Sequence, residues 1–223
     1  MDIHTVLPPS LLRERLLALS ELYARADRAV DIFQAASGLG CPFGCGSCCE
    51  SFIPDILPAE AELVALDLVA RDRDQAFRLA ASGLEPRQSA SGTLGCPLYR
   101  DDTPYHCSVY ASRPLICRLF AFSAVRDKHG TAAYSLCRLM PAGPGKARSA
   151  ANGDLAAAFG AEPPVMGDYG AELAALDPGS AGGRLPLHEA LPPAIMRVLF
   201  MAGLGTNPEN DGPNLSPPLP QAS

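Results

Sequence analysis

The chain contains no tryptophan, and aromatic residues make up only 6% of it, so its interior must be built from small and aliphatic side chains. It has no uninterrupted apolar run near the roughly 20 residues needed to cross a bilayer, which argues against a membrane-spanning helix. The opening stretch, MDIHTVLPPSLLRERLL, has no basic region leading into an apolar core and a small-residue cleavage site. A cytoplasmic protein is therefore expected. Positive charge is also scarce: 18 Lys and Arg stand against 24 Asp and Glu, a formal net charge of -6. Binding to a phosphate backbone needs clustered cations that displace counterions, so nucleic acid is not an expected partner. Gly-x-Ser-x-Gly, a P-loop and His-Glu-x-x-His are all missing, which leaves no recognisable hydrolytic or nucleotide-binding machinery.

What the chain does have is the composition of a globular protein, with 48% hydrophobic and 19% charged residues over 223 positions, enough for one domain with loose ends. Between Ser10 and about Ala36, Leu12, Leu16, Leu19, Leu22, Tyr23, Ala26, Val30 and Phe33 recur at helical spacing. This predicts an amphipathic helix with Ser10 as N-cap and Gly38 and Gly40 as the stop. Pro58-Ala-Glu-Ala-Glu-Leu is a favoured helix start, and a helix is predicted from there to about Ala81. Residues 84–95 read as a loop. The segments around Cys96 and Cys107 flank Arg-Asp-Asp-Thr-Pro as a short hairpin or two extended pieces. Pro114 is placed for a first helical position, and Asp127-Lys-His-Gly is a further turn. Beyond Cys137 the texture becomes linker-like and rich in Ala, Gly and Pro, with one short helix near 188–202.

All eight cysteines fall between Cys41 and Cys137, and four of them occupy nine positions. Core packing makes no such demand. In a reducing compartment this spacing points to metal binding or catalysis more than to disulfides. Cys41, Cys45, Cys48 and Cys49 stand at i, i+4, i+7 and i+8, which on a helix or a tight helical turn aims all four sulfurs at one volume. Gly44 and Gly46 argue against a regular helix while allowing close backbone approach. The adjacent pair Cys48 and Cys49 can serve one metal only on a bent backbone, and otherwise serves two metals or bridges them. Cys96, Cys107, Cys117 and Cys137 are widely spaced and need tertiary folding to join the first group.

Soft thiolates bind zinc, copper(I) or iron–sulfur clusters, generally about four per centre. Several thiolates together carry negative charge that is costly to bury alone. Arg113, Arg118 and Arg138 stand near Cys117 and Cys137 in sequence and are candidate counter-charges and donors to sulfur. Of the four histidines, only His106 neighbours a cysteine, and it reads as a turn residue beside Cys107. Tyr99, Tyr105, Tyr110 and Tyr134 are candidates to line a pocket at the site, though half-buried core tyrosines are the commoner case.

At two blocks, CPFGCGSCC at 41–49 and CPLYRDDTPYHCSVYASRPLICRLFAF at 96–122, the sequence resembles the CxxCxxCC, or YkgJ-type, cysteine cluster family, described as zinc- or iron-chelating. The second block carries the family features through Cys96, Cys107, Tyr110, Arg113, Pro114, Cys117, Arg118 and Phe120. One departure is that three residues separate Cys41 from Cys45, where the family name implies two. The resemblance implies a cytoplasmic bacterial protein with cysteine-bound zinc or iron, the latter as an ion or an iron–sulfur cluster. Flagellin lysine N-methylases carry a similar cluster, which implies an enzymatic option, but no methyl-donor motif is recognisable.

The expectation is a mainly α protein with short hairpins and irregular loops, a small α+β fold organised around a cysteine-ligated metal site. Its parts are an N-terminal amphipathic helix packed on the core at 1–37, a cysteine-cluster domain at 38–140, an Ala/Gly/Pro-rich segment with a short helix at 141–204, and a disordered tail at 205–223. The expected ligands are Cys41, Cys45, Cys48, Cys49, Cys96, Cys107, Cys117 and Cys137, with Arg113 and Arg118 in support. The expected function is zinc or iron binding in a structural, electron-carrying or metal-carrying role. The alternatives are a metal-dependent enzyme acting on a peptide or protein, and a zinc-stapled module that binds a protein partner.

Overall fold

A computed structural model describes residues 2–88, 92–103, 105–141, 149–151, 154–180 and 183–205. After one turn of helix, α1 (Ile3–Val6), the long helix α2 (Leu11–Ser37) starts where the Ser10 hydroxyl accepts the Arg13 N–H at 3.2 Å. It stops at Gly38, whose φ of 68° turns the chain while its N–H donates to Gln34 at 2.8 Å. All eight residues of the predicted apolar stripe are buried.

Next come α3 (Ser47–Glu50), β1 (Asp55–Ile56), α4 (Pro58–Arg71) and α5 (Arg73–Ser82). The single helix predicted from Pro58 to about Ala81 is in fact two. Asp72 is extended (φ −157°, ψ 100°), donates its N–H to Leu68 and accepts the Gln75 N–H at 2.8 Å, closing one helix and capping the next. A short acceptor side chain competes with the helical ladder in this way, and the flanking Arg71, Arg73 and Asp74 bring no apolar burial to resist it.

Within residues 84–95, expected as a loop, strands β2 (Arg87–Gln88) and β3 (Leu94–Gly95) pair antiparallel; an antiparallel bridge joins Tyr99 to Cys107, as the hairpin reading predicts. A 3₁₀ turn at Tyr110–Ser112 leads into α6 (Leu115–Leu119), whose N-cap is Pro114. Strands β4 (Val125–Arg126) and β5 (Ala132–Ser135) form a hairpin around the predicted Asp127–Gly130 turn, and β6 (Ser149–Ala151) adds a third strand beyond β5. The sequence reading had no strand there. It also missed α7 (Leu155–Phe159) and α8 (Met166–Ala175) in the Ala-rich segment. Finally β7 (Leu185–Pro186) pairs antiparallel with β1 and runs into α9 (Leu187–Gly203). Residues 142–148 of the linker-like stretch, and 206–223 of the expected tail, lie outside the described residues.

The architecture is mainly helical with short strands. Helix α9 packs on α4 and α5, while α2 packs on α4, α6 and α8. Pro192 and Pro193 sit inside α9, where each removes a backbone donor, yet eight buried residues from Leu187 to Ala202 hold the helix in place. Phe33, Tyr134 and Phe159 meet edge to face, with centroids 5.0–6.1 Å apart, and join α2, β5 and α7. Buried Glu62 accepts from Arg15 of α2 and, at 2.8 Å, from Arg197 of α9. No helix among the described residues is long and apolar enough to cross a membrane.

Candidate metal centre

The first four cysteines lie on a turn followed by one turn of helix, so the regular-helix option does not hold. Cys45 donates its N–H to Pro42 at 3.1 Å, and α3 begins only at Ser47, where the Cys49 N–H reaches Gly46 at 2.8 Å. On this bent backbone the sulfurs of Cys48 and Cys49 stand 3.9 Å apart. Cys41 and Cys48 are exposed, Cys45 and Cys49 half-buried, and all eight cysteines are free thiols.

Two glycines let the rest of the site close onto this loop. A Cβ on Gly95 would lie 2.3 Å from the Glu50 carbonyl oxygen, so only glycine lets β3 come this near α3. That approach carries the Cys96 N–H to the Cys49 carbonyl at 2.8 Å. A Cβ on Gly46 would fall 2.8 Å from both the His106 Cβ and the Tyr99 ring. These two rings stack on each other at 5.3 Å, and Arg87 caps the Tyr99 face at 4.3 Å. His106 Nε2 lies 2.8 Å from the Gly44 carbonyl oxygen. The hairpin from Cys96 to Cys107 thus clamps the loop that carries Cys41 to Cys49.

The thiols act on one another electrostatically, and this maps which ones are neighbours. Burial pushes Cys41 up to about 11, and Cys45, Cys48 and Cys137 add to the rise. Burial likewise holds Cys96 up at about 11 against backbone N–H donors, with Cys107 and Cys48 adding repulsion. Cys117, on α6, is pushed far above the ordinary thiol range by burial and by Cys96, Cys107 and Cys48. Cys107 is raised by burial, while Arg113 and Arg71 pull it down. The close Cys48–Cys49 pair shares a proton, so it yields its first proton more readily than a lone thiol and holds its second far more tightly. Tyr134 rises to about 12 through burial, with Cys137 and Cys41 adding to it.

Two overlapping groups emerge, Cys41, Cys45, Cys48 and Cys137 on one side and Cys49, Cys96, Cys107 and Cys117 on the other, meeting at Cys48 and Cys49. Among the described residues, no group of three or more Cys, His, Asp or Glu side chains is drawn together tightly enough to hold a metal ion as it stands. The donor set nevertheless fits a soft cation. Its members disfavour one another as bare thiolates, and a bound cation reverses that penalty.

Arg118 is buried, with hydrogen bonds to Asp27, to the Ala111 carbonyl and, at 2.9 Å, to the Arg113 carbonyl; its guanidinium lies 4.2 Å from the Tyr23 ring centroid. Arg113 stacks on Tyr110 at 4.0 Å and donates to the Tyr110 carbonyl at 2.9 Å and to Asp27 at 3.3 Å. Both arginines tie the Cys117 segment to α2, and Arg113 also reaches the field of Cys107. Arg138 is exposed after Cys137.

The sequence reading missed three supports. Arg71 of α4 donates to the Ser108 carbonyl at 2.8 Å and acts on Cys107. Asp27 of α2 anchors both arginines. Buried Glu60 accepts from Tyr23 at 2.9 Å, from the Leu57 N–H at 2.9 Å and from the Leu115 N–H at 2.8 Å, fixing the start of α6. Of these, only Glu60 leaves a signal, as the acid three residues after the residue preceding Pro58.

The chain has no match among curated proteins or solved structures. Residues 40–138, which contain all eight cysteines and the whole clamp, match the CxxCxxCC family model, described as "Putative zinc- or iron-chelating domain".

Proposed function

We propose that this is a cytoplasmic carrier of zinc or iron, the iron held as an ion or an iron–sulfur cluster, and that the eight cysteines supply its ligands. The reading rests on one observation: thiols from five separate chain segments act on one another electrostatically around the Cys48–Cys49 pair, and the loop bearing half of them is clamped by the hairpin bearing two more. Eight thiols suit two adjacent centres of about four ligands each, or one larger cluster. When bound, the metal would supply Lewis acidity or electron transfer. The chain's own residues hold the thiols in register, with Arg71 and Arg113 offsetting charge near Cys107.

The exposure of Cys41 and Cys48 favours a carrier over a purely structural staple, because structural sites are closed whereas an exchanging site needs a path for incoming ligands. The same opening leaves room for the second reading, a metal-dependent enzyme acting on a peptide or protein.

Anaerobic purification followed by metal and sulfide analysis with visible absorption tests the proposal. Colour with iron, or a colourless protein loaded with zinc, supports it and distinguishes the two metals. A protein that remains free of both after incubation with each metal under reducing conditions overturns it.

A further inference from the structure

His106 adopts φ +51°, a left-handed conformation that a non-glycine residue occupies at a cost, and such strain persists where the surroundings impose it. Its ring lies across the Gly44–Gly46 turn that carries Cys45, and Cys107 follows it in the chain. The Gly44 carbonyl oxygen can only accept, so Nε2 carries the proton and donates. That fixes the tautomer and leaves Nδ1 as the bare imine nitrogen. Nδ1 is buried and has no hydrogen-bond partner.

Three other buried side-chain nitrogens among the described residues also lack partners, on Arg13, Arg15 and His188. The arginine Nε atoms bear protons and have no lone pair to offer, and His188 lies on α9. A metal-binding histidine has a recognisable form, one nitrogen donating to a backbone carbonyl and the other left free as ligand. Among the described residues, His106 has that form beside the cysteines.

We infer that His106 Nδ1 is a nitrogen ligand of the metal held by the Cys41–Cys49 loop, making that centre a mixed thiolate–imidazole site. The inference rests on the proposed metal binding. It goes beyond an all-cysteine set, and it gives the Gly44 contact the role of orienting the imidazole.

Cobalt(II) is the probe, because its d–d bands report sulfur and nitrogen ligands separately from its thiolate charge-transfer band. His106→Gln keeps an N–H near the Nε2 position for Gly44 and removes the imine nitrogen. We expect it to bind Co²⁺ about tenfold or more weakly than wild type, with shifted d–d bands and a retained charge-transfer band. In Co²⁺-loaded wild type, X-ray absorption should show imidazole scattering together with sulfur, a readout that does not depend on the variant folding. Unchanged affinity and bands in His106→Gln, or sulfur without imidazole in wild type, overturn the inference and leave the thiolate reading standing. Absence of any thiolate–cobalt band in wild type overturns both.

Discussion

Replacing Glu60 with alanine should show how strongly the helical scaffold sets the position of the cysteines. The side chain is buried and accepts three hydrogen bonds, from the Tyr23 hydroxyl, the Leu57 N–H and the Leu115 N–H. Truncation strands all three donors in the interior, and each unsatisfied buried donor costs about 1–3 kcal/mol. Tyr23 can rotate its hydroxyl, so the lower part of the range applies to it. The sum is a loss of about 3–7 kcal/mol, a large share of the roughly 5–15 kcal/mol that holds an ordinary domain together. Glu60→Gln keeps an acceptor for two donors and presents an amide to the third, and should lose about 1–2 kcal/mol. Urea unfolding of the metal-free protein is the assay, read as a fall in midpoint at unchanged slope. Leu115 opens the helix that bears Cys117, so metal affinity should fall in the same order, alanine below glutamine below wild type. A Glu60→Ala protein within about 1 kcal/mol of wild type would refute the claim that this carboxylate holds α2, α4 and α6 together.

Gly95→Ala puts a Cβ against the Glu50 carbonyl and should part β3 from α3, lowering stability by about 1–3 kcal/mol and stripping metal; wild-type metal content in this variant would contradict the clamp. Arg118→Lys keeps the charge but cannot reproduce the fork that serves Asp27 and two carbonyls, so a loss of about 1–2 kcal/mol is expected in chemical denaturation, and an unchanged midpoint would count against the anchor. Metal affinity should rise with pH across neutrality. Burial holds the metal-free thiols of Cys41 and Cys96 up at about 11, so they are protonated there and metal must displace their protons. Chelator competition at several pH values, with proton release followed by indicator, checks the sign, and pH-independent affinity would contradict it.

Local features were the ones the sequence carried well. The stripe from Leu12 to Phe33, the Ser10 cap and the Gly38 stop all depend on neighbours within a turn or two, and the structure has them as read. The bridge from Tyr99 to Cys107 and the turn at Asp127–Gly130 are local in the same way. Gly46 was read as permitting close approach, and the hairpin rings occupy that space. The break at Asp72 was hidden because no glycine or proline marks it, while a single side-chain acceptor decides the backbone.

Longer-range features left no such trace. The pairing of β1 with β7 joins Asp55 to Pro186, and Glu60 reaches Tyr23 and Leu115 from different helices. Helices α7 and α8 lie in Ala- and Gly-rich sequence whose apolar signal is weak, and they are held by packing against α2 and β6 and against α2, α6 and β4. The eight thiols were visible as a count and a spacing, but their division around Cys48 and Cys49 depends on tertiary contacts.

The most direct test of the central claim is metal content per chain in wild type and in the Cys48→Ser, Cys49→Ser double variant, both purified anaerobically and confirmed folded by circular dichroism. Cys48 and Cys49 stand where the two thiol groups meet, so the double variant should lose nearly all the zinc or iron that wild type retains. A folded double variant carrying the wild-type complement of metal would show that the metal is not held where these cysteines converge.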